Sequence, residues 1–374
     1  MASNCTHDEH QMKRVLTLAK RGKAWVAPNP MVGAVLVKDG EVVGEGYHRR
    51  FGGPHAEINA LREAGAKAKG ATLYVNLEPC SHYGKTPPCV DALLEAGVSR
   101  VVASMQDPNP KVNGAGFEKL RAAGVKVEVG LLETEARELN QQYMKKAATG
   151  WSWVTLKIAQ SLDGRIASVT GHSQWISGKQ SLRYAHLLRA SHDAVLVGSG
   201  TVHADNPLLT VRHLRGRNPI RIVLDSKLSI PEDCLIVNTP DQAPTWVFAR
   251  SDAPEPSWAG KPNVEIIRLD PDAKGRVPLK RMLREIADRG VGSLMVEGGS
   301  RVWTSFLEAR VVDKIEVVIA PMIIGHGIDA IEDLKVLKVS DAIRLEPFRW
   351  RRIGVDLHVA ARIRYADGSN GGEA

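Results

Sequence analysis

A histidine and two cysteines, His55, Cys80 and Cys89, with a glutamate two residues past the histidine, Glu57, are the residue types in this chain best suited to chemistry. Imidazole nitrogen and thiolate sulfur hold zinc tetrahedrally, and three such ligands leave the fourth position of a catalytic site open to water. Zinc lowers the pKa of that water from about 15.7 to about 7, which makes a nucleophile for the amidine-like carbon of an aminopyrimidine. Glu57, not needed as a ligand, is placed to carry protons from the water to the ring nitrogen and then to departing ammonia, the division of labour of zinc-dependent base deamination. By type alone a histidine and two cysteines read more readily as core residues and spare thiols. Their order favours a metal.

The elements around them explain why. His-x-Glu opens a helix expected over Ala56–Ala64, apolar at Ala56, Ala60, Leu61 and Ala64; Cys80 follows an apolar strand, Ala71–Leu77; Cys89 begins a second helix running on through Ala92, Leu93 and Leu94. Two helix starts and a strand end therefore converge, and a helix N-terminus is expected to lower the pKa of the Cys89 thiol. The usual deaminase spelling is Pro-Cys-x-x-Cys. Here eight residues, Ser81 to Pro88, separate the cysteines. A loop that long can reach over a substrate and carries His82 and Lys85, which suit a phosphate; the plainer reading is an exposed, solvated loop.

Along the first 150 residues helical and strand periods alternate. An amphipathic helix over Met12–Lys20 precedes a hairpin of Val32–Val37 and Val42–Tyr47 around Lys38-Asp39-Gly40. After the metal-site elements come a strand at Val101–Met105, a helix near Gly116–Ala123, a strand at Val125–Val129 and a helix from Glu133 to Ala148. The pattern predicts an α/β sandwich on a mostly parallel sheet, with Cys80 and the Gln106–Pro110 loop at the carboxyl ends of strands, where such sheets bind ligands. A domain boundary falls near Thr149-Gly150, where a helix ends on glycine.

In the second half, Val154, Leu156 and Ile158 alternate with Thr155 and Lys157, so Lys157 lies opposite the core face, either as an ordinary exposed strand lysine or beside an active-site turn, Ser161-Leu162-Asp163-Gly164-Arg165. The strand Ala194–Val197 runs into Gly198-Ser199-Gly200-Thr201, but the dinucleotide fingerprint would need another glycine at 203, where the chain has His203. A better anion cradle follows strand Ser293–Val296, in Glu297-Gly298-Gly299-Ser300 before a helix over Val302–Ala309, although a plain strand-to-helix turn would look the same. Asp225-Ser226-Lys227 closes the strand Ile220–Leu224, where an adenosine ribose could be held, and further strands are expected at Lys314–Ile319 and Val355–Arg364, to complete the sheet or make a dimer contact.

With 374 residues, 43% of them hydrophobic, two domains are expected. Four cysteines make no disulfide framework, Cys5 and Cys234 read as incidental, and the N-terminus lacks a basic and apolar leader; a soluble cytoplasmic protein is expected. The 50 basic and 42 acidic residues give +8, but the basic residues are spread in short pairs such as Lys13-Arg14 and Arg351-Arg352, so phosphorylated small molecules rather than nucleic acid or a membrane are the expected partners.

The strings Asn29-Pro30-Met31-Val32-Gly33, Pro54-His55-Ala56-Glu57, Leu77 to Cys89 and Gln106-Asp107-Pro108-Asn109-Pro110 closely resemble the bifunctional deaminase/reductase of riboflavin biosynthesis. In the second half Ser161 to Gly164, Ser173-Gln174-Trp175-Ile176, Gly200-Thr201-Val202, Ala204 to Pro207, Asp225-Ser226 and Val296 to Gly299 resemble the same family's reductase domain. The resemblance implies a cytidine-deaminase-like three-layer α/β/α domain over residues 1–149, a zinc-dependent pyrimidine deaminase, and a dihydrofolate-reductase-like α/β domain over 150–368, an NADPH-dependent reductase, with a disordered tail at 369–374. By matched position His55, Cys80 and Cys89 are zinc ligands, Glu57 the proton shuttle, and Asn29, His82 and Lys85 substrate contacts. Lys157, Ser173, Arg189, Leu209, Arg212 and Glu297 would touch substrate in the reductase, and Ala159, Trp175, Thr201, Asp205, Ser226, Gly298, Gly299 and Ser300 the cofactor. The implied substrate is a diaminopyrimidinone ribosylamine 5'-phosphate, deaminated at the 2-amino group and then reduced at C1' of the ring-opened ribose by a protein that forms a homodimer. Arg189 and Arg212 suit the 5'-phosphate, and Lys157 and Glu297 the reacting centre. The rival readings are a tRNA deaminase whose second half is a binding module, and an enzyme that keeps only one of the two activities.

Overall fold

The computed structural model describes residues 2–83 and 87–365, residues 2–6 by backbone alone. The chain divides into two compact units, Met1–Gly150 and Trp151–Ala374. Among the described residues no helix is long and apolar enough to cross a membrane.

The first unit runs α1 Ala2–Ala19, β1 Gly33–Lys38, β2 Glu41–Tyr47, α2 Ala56–Ala64, β3 Thr72–Val75, α3 Cys89–Glu95, β4 Arg100–Ala103, α4 Ala115–Ala122, β5 Lys126–Val129, α5 Glu133–Leu139 and α6 Gln141–Thr149. Its sheet has the order β2-β1-β3-β4-β5. Alternation along β1 sends Ala34 and Leu36 to one face, against Ala56, Ala60, Leu93 and Phe117, and Val35 and Val37 to the other, against Met12, Val15 and Leu18 of α1. Three α/β/α layers result.

Three expectations are corrected here. The sheet is mixed rather than mostly parallel: β1 is antiparallel to both β2 and β3, and only β3, β4 and β5 run together. The first helix begins well before Met12. The helix expected over Glu133–Ala148 breaks at Asn140, whose side-chain amide accepts from Met31 N–H at 2.8 Å and donates to Met31 O at 3.0 Å. That pair ties the end of the unit to the segment leading into β1.

Helix α2 lies directly on β2. A Cβ at Gly44 would sit 2.4 Å from Ala60 O and one at Gly46 2.5 Å from Ala56 O, so only glycine lets the helix carrying Glu57 approach this closely.

The second unit comprises β6 Trp153–Ser161, β7 Arg165–Ser168, α7 Lys179–Ser191, β8 Ala194–Gly198, α8 Ser199–Asp205, β9 Ile220–Leu224, α9 Leu235–Asn238, β10 Thr245–Arg250, β11 Val264–Leu269, α10 Leu279–Asp288, β12 Ser293–Gly298, α11 Ser300–Glu308, β13 Lys314–Ala320, β14 Gly327–Asp329, β15 Arg344–Ile353 and β16 Asp356–Arg364. Nine strands form one sheet in the order β11-β10-β9-β8-β12-β6-β13-β16-β15, parallel from β11 to β13 and antiparallel at the last two. Every residue of β8 is buried, as a central parallel strand covered on both faces requires. The strands expected near the C-terminus do complete the sheet, and β7 pairs with β14 as a separate ribbon.

Candidate active sites

In the first unit His55 is the N-cap of α2, Cys80 follows β3 and Cys89 opens α3. His55 Nδ1 lies 3.2 Å from Cys89 Sγ and 3.5 Å from Cys80 Sγ, and the three donor atoms all fall within 4.8 Å of one another. With Zn–N near 2.0–2.1 Å and Zn–S near 2.3 Å, tetrahedral geometry asks for N···S edges of roughly 3.5 Å, so this donor set fits zinc. The Cys89 N–H donates to Cys80 Sγ at 3.3 Å. Hydrogen bonds from Cys89 and from His55 pull Cys80 down to about 4. The hydrogen bond with Cys80, together with burial, pushes the Cys89 thiol up where a helix N-terminus alone would lower it. Two sulfurs this close cannot both be thiolates unless a cation balances them.

Glu57 is 3% exposed, and burial raises its carboxyl above the ordinary value. It faces a cavity of about 290 Å³ whose wall includes Asn29, His48, His82, Asp107 and Tyr143. Asn29 Nδ2 is 3.1 Å from His48 Nε2 while His48 Nδ1 is 3.0 Å from Pro54 O, so His48 donates to the carbonyl and accepts from the amide. The Tyr143 hydroxyl is 2.9 Å from both Asp107 oxygens, and burial raises the Asp107 carboxyl. His82 Nδ1 is buried and has no hydrogen-bond partner among the described residues, as a group awaiting a ligand would. Lys85 lies outside the described residues, as does the tail at 369–374.

The floor of this cavity is fixed by Glu78, which accepts the N–H groups of Asp107 at 3.1 Å, Gly114 at 3.0 Å and Gly116 at 2.9 Å. His48 and Tyr143 sit in no motif with a mechanism of its own and carry no signal in sequence; Glu78 lies within the Leu77 to Cys89 string, where no role was assigned to it. Asp107 belonged to a quoted string but was given no role.

In the second unit Lys157 on β6, Arg189 on α7 and Glu297 on β12 form one buried charged cluster. Arg189 donates through Nε and Nη2 to the two Glu297 oxygens, the second at 2.7 Å, and through Nη1 to Thr210 O at 3.1 Å. Burial lowers the Lys157 ammonium pKa against the pull of Glu297; burial would raise Glu297, but Arg189 holds it below the carboxylate range. Among the described residues Arg189's guanidinium contacts go to Glu297 and Thr210, whereas Arg212 is exposed and its guanidinium bonds only Thr210 Oγ1, at 3.3 Å, which leaves it open to an anion. The Arg212 N–H donates at 3.2 Å to Nδ1 of His186, which is fully buried and pushed down to about 4 by burial, Arg189, His213 and Arg212. His186 was missed in sequence.

The other positions separate into smaller groups. Ser173 Oγ is 3.5 Å from Asp205 Oδ1. Thr201 Oγ1 would lie 3.6 Å from a Cβ at Gly299 and 3.7 Å from one at Gly298, so the two glycines keep a cradle open that side chains would fill. Ser300 Oγ, at the first residue of α11, is buried with no partner among the described residues, and together with the cradle it fits a cofactor phosphate. Ser226 Oγ accepts from Val277 N–H at 3.3 Å. Trp175 is 72% exposed, and Ala159 on β6 is half-buried. The Leu209 side chain is buried in the apolar cluster of Val197, Val202 and Leu228, so what it can offer a substrate is its main chain. Asp225 also turns inward, accepting from Ser229 Oγ at 3.0 Å and Ile230 N–H at 2.8 Å.

Comparison with known proteins covers both units. Residues 5–105 match the cytidine and deoxycytidylate deaminase zinc-binding region, and residues 152–359 the RibD C-terminal domain. The chain is 45% identical to the riboflavin biosynthesis protein RibD of Aquifex aeolicus, covering 94% of this chain and 97% of that one, and 45% identical to its Escherichia coli counterpart, covering 94% and 98%. Acinetobacter baumannii RibD superposes with a TM-score of 0.87 at 35% identity, covering 96% of this chain and 99% of that one. A Thermotoga maritima structure described as a diaminohydroxyphosphoribosylaminopyrimidine deaminase/5-amino-6-(5-phosphoribosylamino)uracil reductase superposes with a TM-score of 0.83 at 37% identity, with coverages of 96% and 99%. The second half therefore matches that family's reductase domain, and the rival reading of a tRNA deaminase is not favoured. The zinc-type donor set in one unit, the charged cluster in the other and relatives that span nearly the whole chain lead to one assignment: this chain belongs to the RibD family of riboflavin biosynthesis, enzymes that join a deaminase to a reductase.

Proposed function

We propose that the two activities act in sequence on a diaminopyrimidinone ribosylamine 5'-phosphate, with His55, Cys80 and Cys89 holding zinc and Glu57 moving the protons. The three donor atoms gathered within 4.8 Å beside a buried carboxyl carry the reading. Zinc, when bound, supplies Lewis acidity that makes water nucleophilic at neutral pH. Glu57 takes the water's proton and passes it to the ring nitrogen. Once the water oxygen has bonded to the ring carbon, Glu57 takes the remaining hydroxyl proton and hands it to the 2-amino group, so that the C–N bond breaks, ammonia leaves and a carbonyl remains. Asn29, held by His48, and His82, whose Nδ1 has no partner among the described residues, are set to orient the pyrimidine, and Lys85 lies in the sequence where the phosphate would be met. Because both cysteines must stay available as thiolates, the working compartment is reducing, as the cytoplasm is.

In the second unit NADPH would supply hydride to C1' of the opened ribose. Gly298, Gly299, Ser300, Thr201 and Ser226 are placed to hold it, with Ala159, Trp175 and Asp205 nearby in the sequence motifs. Arg212 and Ser173 are set to bind the substrate; Arg189 and the Leu209 segment shape the pocket around it. Lys157 and Glu297 polarise the reacting centre. The exposed edge strand β15, which presents Phe348 and Trp350 at 55% and 68% exposure, supports a homodimer with a second copy on that edge, and sedimentation velocity reads it directly.

The test supplies the diaminopyrimidine phosphate with and without NADPH, following ammonia and cofactor absorbance separately. Ammonia released without cofactor, and NADPH consumed only after deamination, is the expected result. Cofactor consumption with no ammonia, or the absence of bound metal from active protein, would overturn the order and the chemistry.

A further inference from the structure

A cleft of about 690 Å³ opens in the second unit beyond the carboxyl end of β9, between Ser226, the 272–280 segment and the first turns of α11. Its inner wall is apolar, built from Leu224, Val277, Leu279, Val302 and Ala309, and Ser199, at the start of α8, reaches its edge. A ligand cleft of a few hundred Å³ with apolar walls and a few convergent polar groups is the usual form of a nucleotide site. Ser300, with its unpaired hydroxyl, directly precedes Arg301 and Val302 of the lining, so a dinucleotide whose pyrophosphate rests at the Gly299-Ser300 turn would extend its adenosine into the cleft.

The rim is strongly basic. Lys227, Lys274, Arg276, Lys280 and Arg301 line it against three carboxylates, Asp225, Asp272 and Glu308. None of the three neutralises Arg276. Asp225 is bonded inward to Ser229 and Ile230. Asp272 accepts the main-chain N–H groups of Lys274 and Arg276, both at 2.9 Å, which closes the turn that displays those side chains. Glu308 reaches Lys274 at 3.5 Å in an exposed pair. Among the described residues Lys227, Arg276 and Lys280 make no ion pair; an adjoining hollow of about 130 Å³ is lined by Lys274, Arg276 and Arg301 together with Glu308, Glu332 and Asp333, of which Glu332 faces Arg301 at 3.9 Å and Glu308 faces Lys274. A pre-shaped turn holding an uncompensated guanidinium beside an adenosine-sized slot suits a dianionic phosphomonoester, because guanidinium donates two parallel hydrogen bonds to phosphate.

We propose that Arg276, assisted by Lys274, binds the 2'-phosphate on the adenosine ribose of the cofactor and so sets the preference of the reductase for NADPH over NADH. The inference rests on the nicotinamide-dependent reduction proposed above and adds the residues that choose between the two cofactors. An arginine near the ribose is the general means by which proteins accept the 2'-phosphate.

The test is Arg276→Ala, with Arg276→Lys as the conservative partner, assayed on the full enzyme with the deaminated intermediate and each cofactor in turn. Arg276→Ala is expected to raise the KM for NADPH at least about tenfold while kcat/KM for NADH moves less than about twofold, and Arg276→Lys to restore part of the preference. Calorimetry with 2',5'-ADP and 5'-AMP gives a readout independent of turnover: the wild type binds the first more tightly, and the alanine variant loses that difference. An equal loss for both cofactors would show that these cations hold the shared pyrophosphate, and an unchanged ratio would show that the rim is not read at all; either overturns the inference while leaving the reductase reading intact. A wild-type enzyme that oxidises neither cofactor would instead overturn that reading.

Discussion

The zinc-type site and the reductase pocket are built on opposite plans. The first gathers three soft donors and one carboxyl from residues 55–89 into a space a few ångströms across. The second draws Lys157, Arg189 and Glu297 from segments 140 residues apart and balances them as charges, with no single donor set to organise the rest. In the first, residue type nearly determines role. In the second, role is set by which charge neighbours which, and that depends on strand order.

The largest expected effect separates the two directly. Glu57→Gln should reduce deamination by about 10²–10⁴-fold, the usual loss of a general acid–base, while reduction of supplied deaminated intermediate stays within about twofold. Loss of both activities in a folded protein would show that the sites are not separable. Next comes Arg189→Ala, which strands Glu297 in a buried pocket and should cost about 3–5 kcal/mol in denaturant unfolding of the second unit. A loss confined to kcat, with stability intact, would mean that the pair serves chemistry alone. Gly46→Ala forces α2 away from β2 and should cost about 1–3 kcal/mol, with zinc content and deamination falling together as His55 and Glu57 move. Retained metal with a full rate would show that the helix can shift without carrying its ligand.

The smallest effect is a pH slope. Glu316 is buried in the second unit; burial would raise its pKa, but the His358 and Lys314 contacts override this and bring it to about 2, against an ordinary value of 4.5. A folded-state pKa below the unfolded one gives stability that is present above about pH 4.5 and lost as pH falls toward 2. Unfolding followed from pH 5 to pH 3 should show that loss, and Glu316→Gln should flatten it.

The metal-type site was legible because His-x-Glu at a helix start and Pro-Cys after a strand report local geometry, and α2 and α3 begin where the spelling put them. What was not legible came from distant contacts. No local pattern marks Asn140 as a helix break, since its amide is spent on Met31, 109 residues away. The antiparallel placement of β1 beside β3 depends on sheet order, and alternation within a strand is blind to that. Arg189 looked like a phosphate ligand because its guanidinium could donate outward; the fold turns it inward to Glu297. Leu209 lies at the end of a motif, and its side chain belongs to the core behind it.

Glu78 binds three main-chain N–H groups and no side chain of the segment it supports. The path of the 106–116 segment is thus anchored from outside by one carboxylate, while Asp107 and Asn109 close its own turns by accepting the N–H groups of Asn109 and Lys111. A Cβ at Gly116 would lie 2.2 Å from Pro79 O, so that position must stay bare for the anchor to be reached. A change at Glu78 itself would release all three anchors together. A pocket wall tied this way fails as a unit rather than residue by residue.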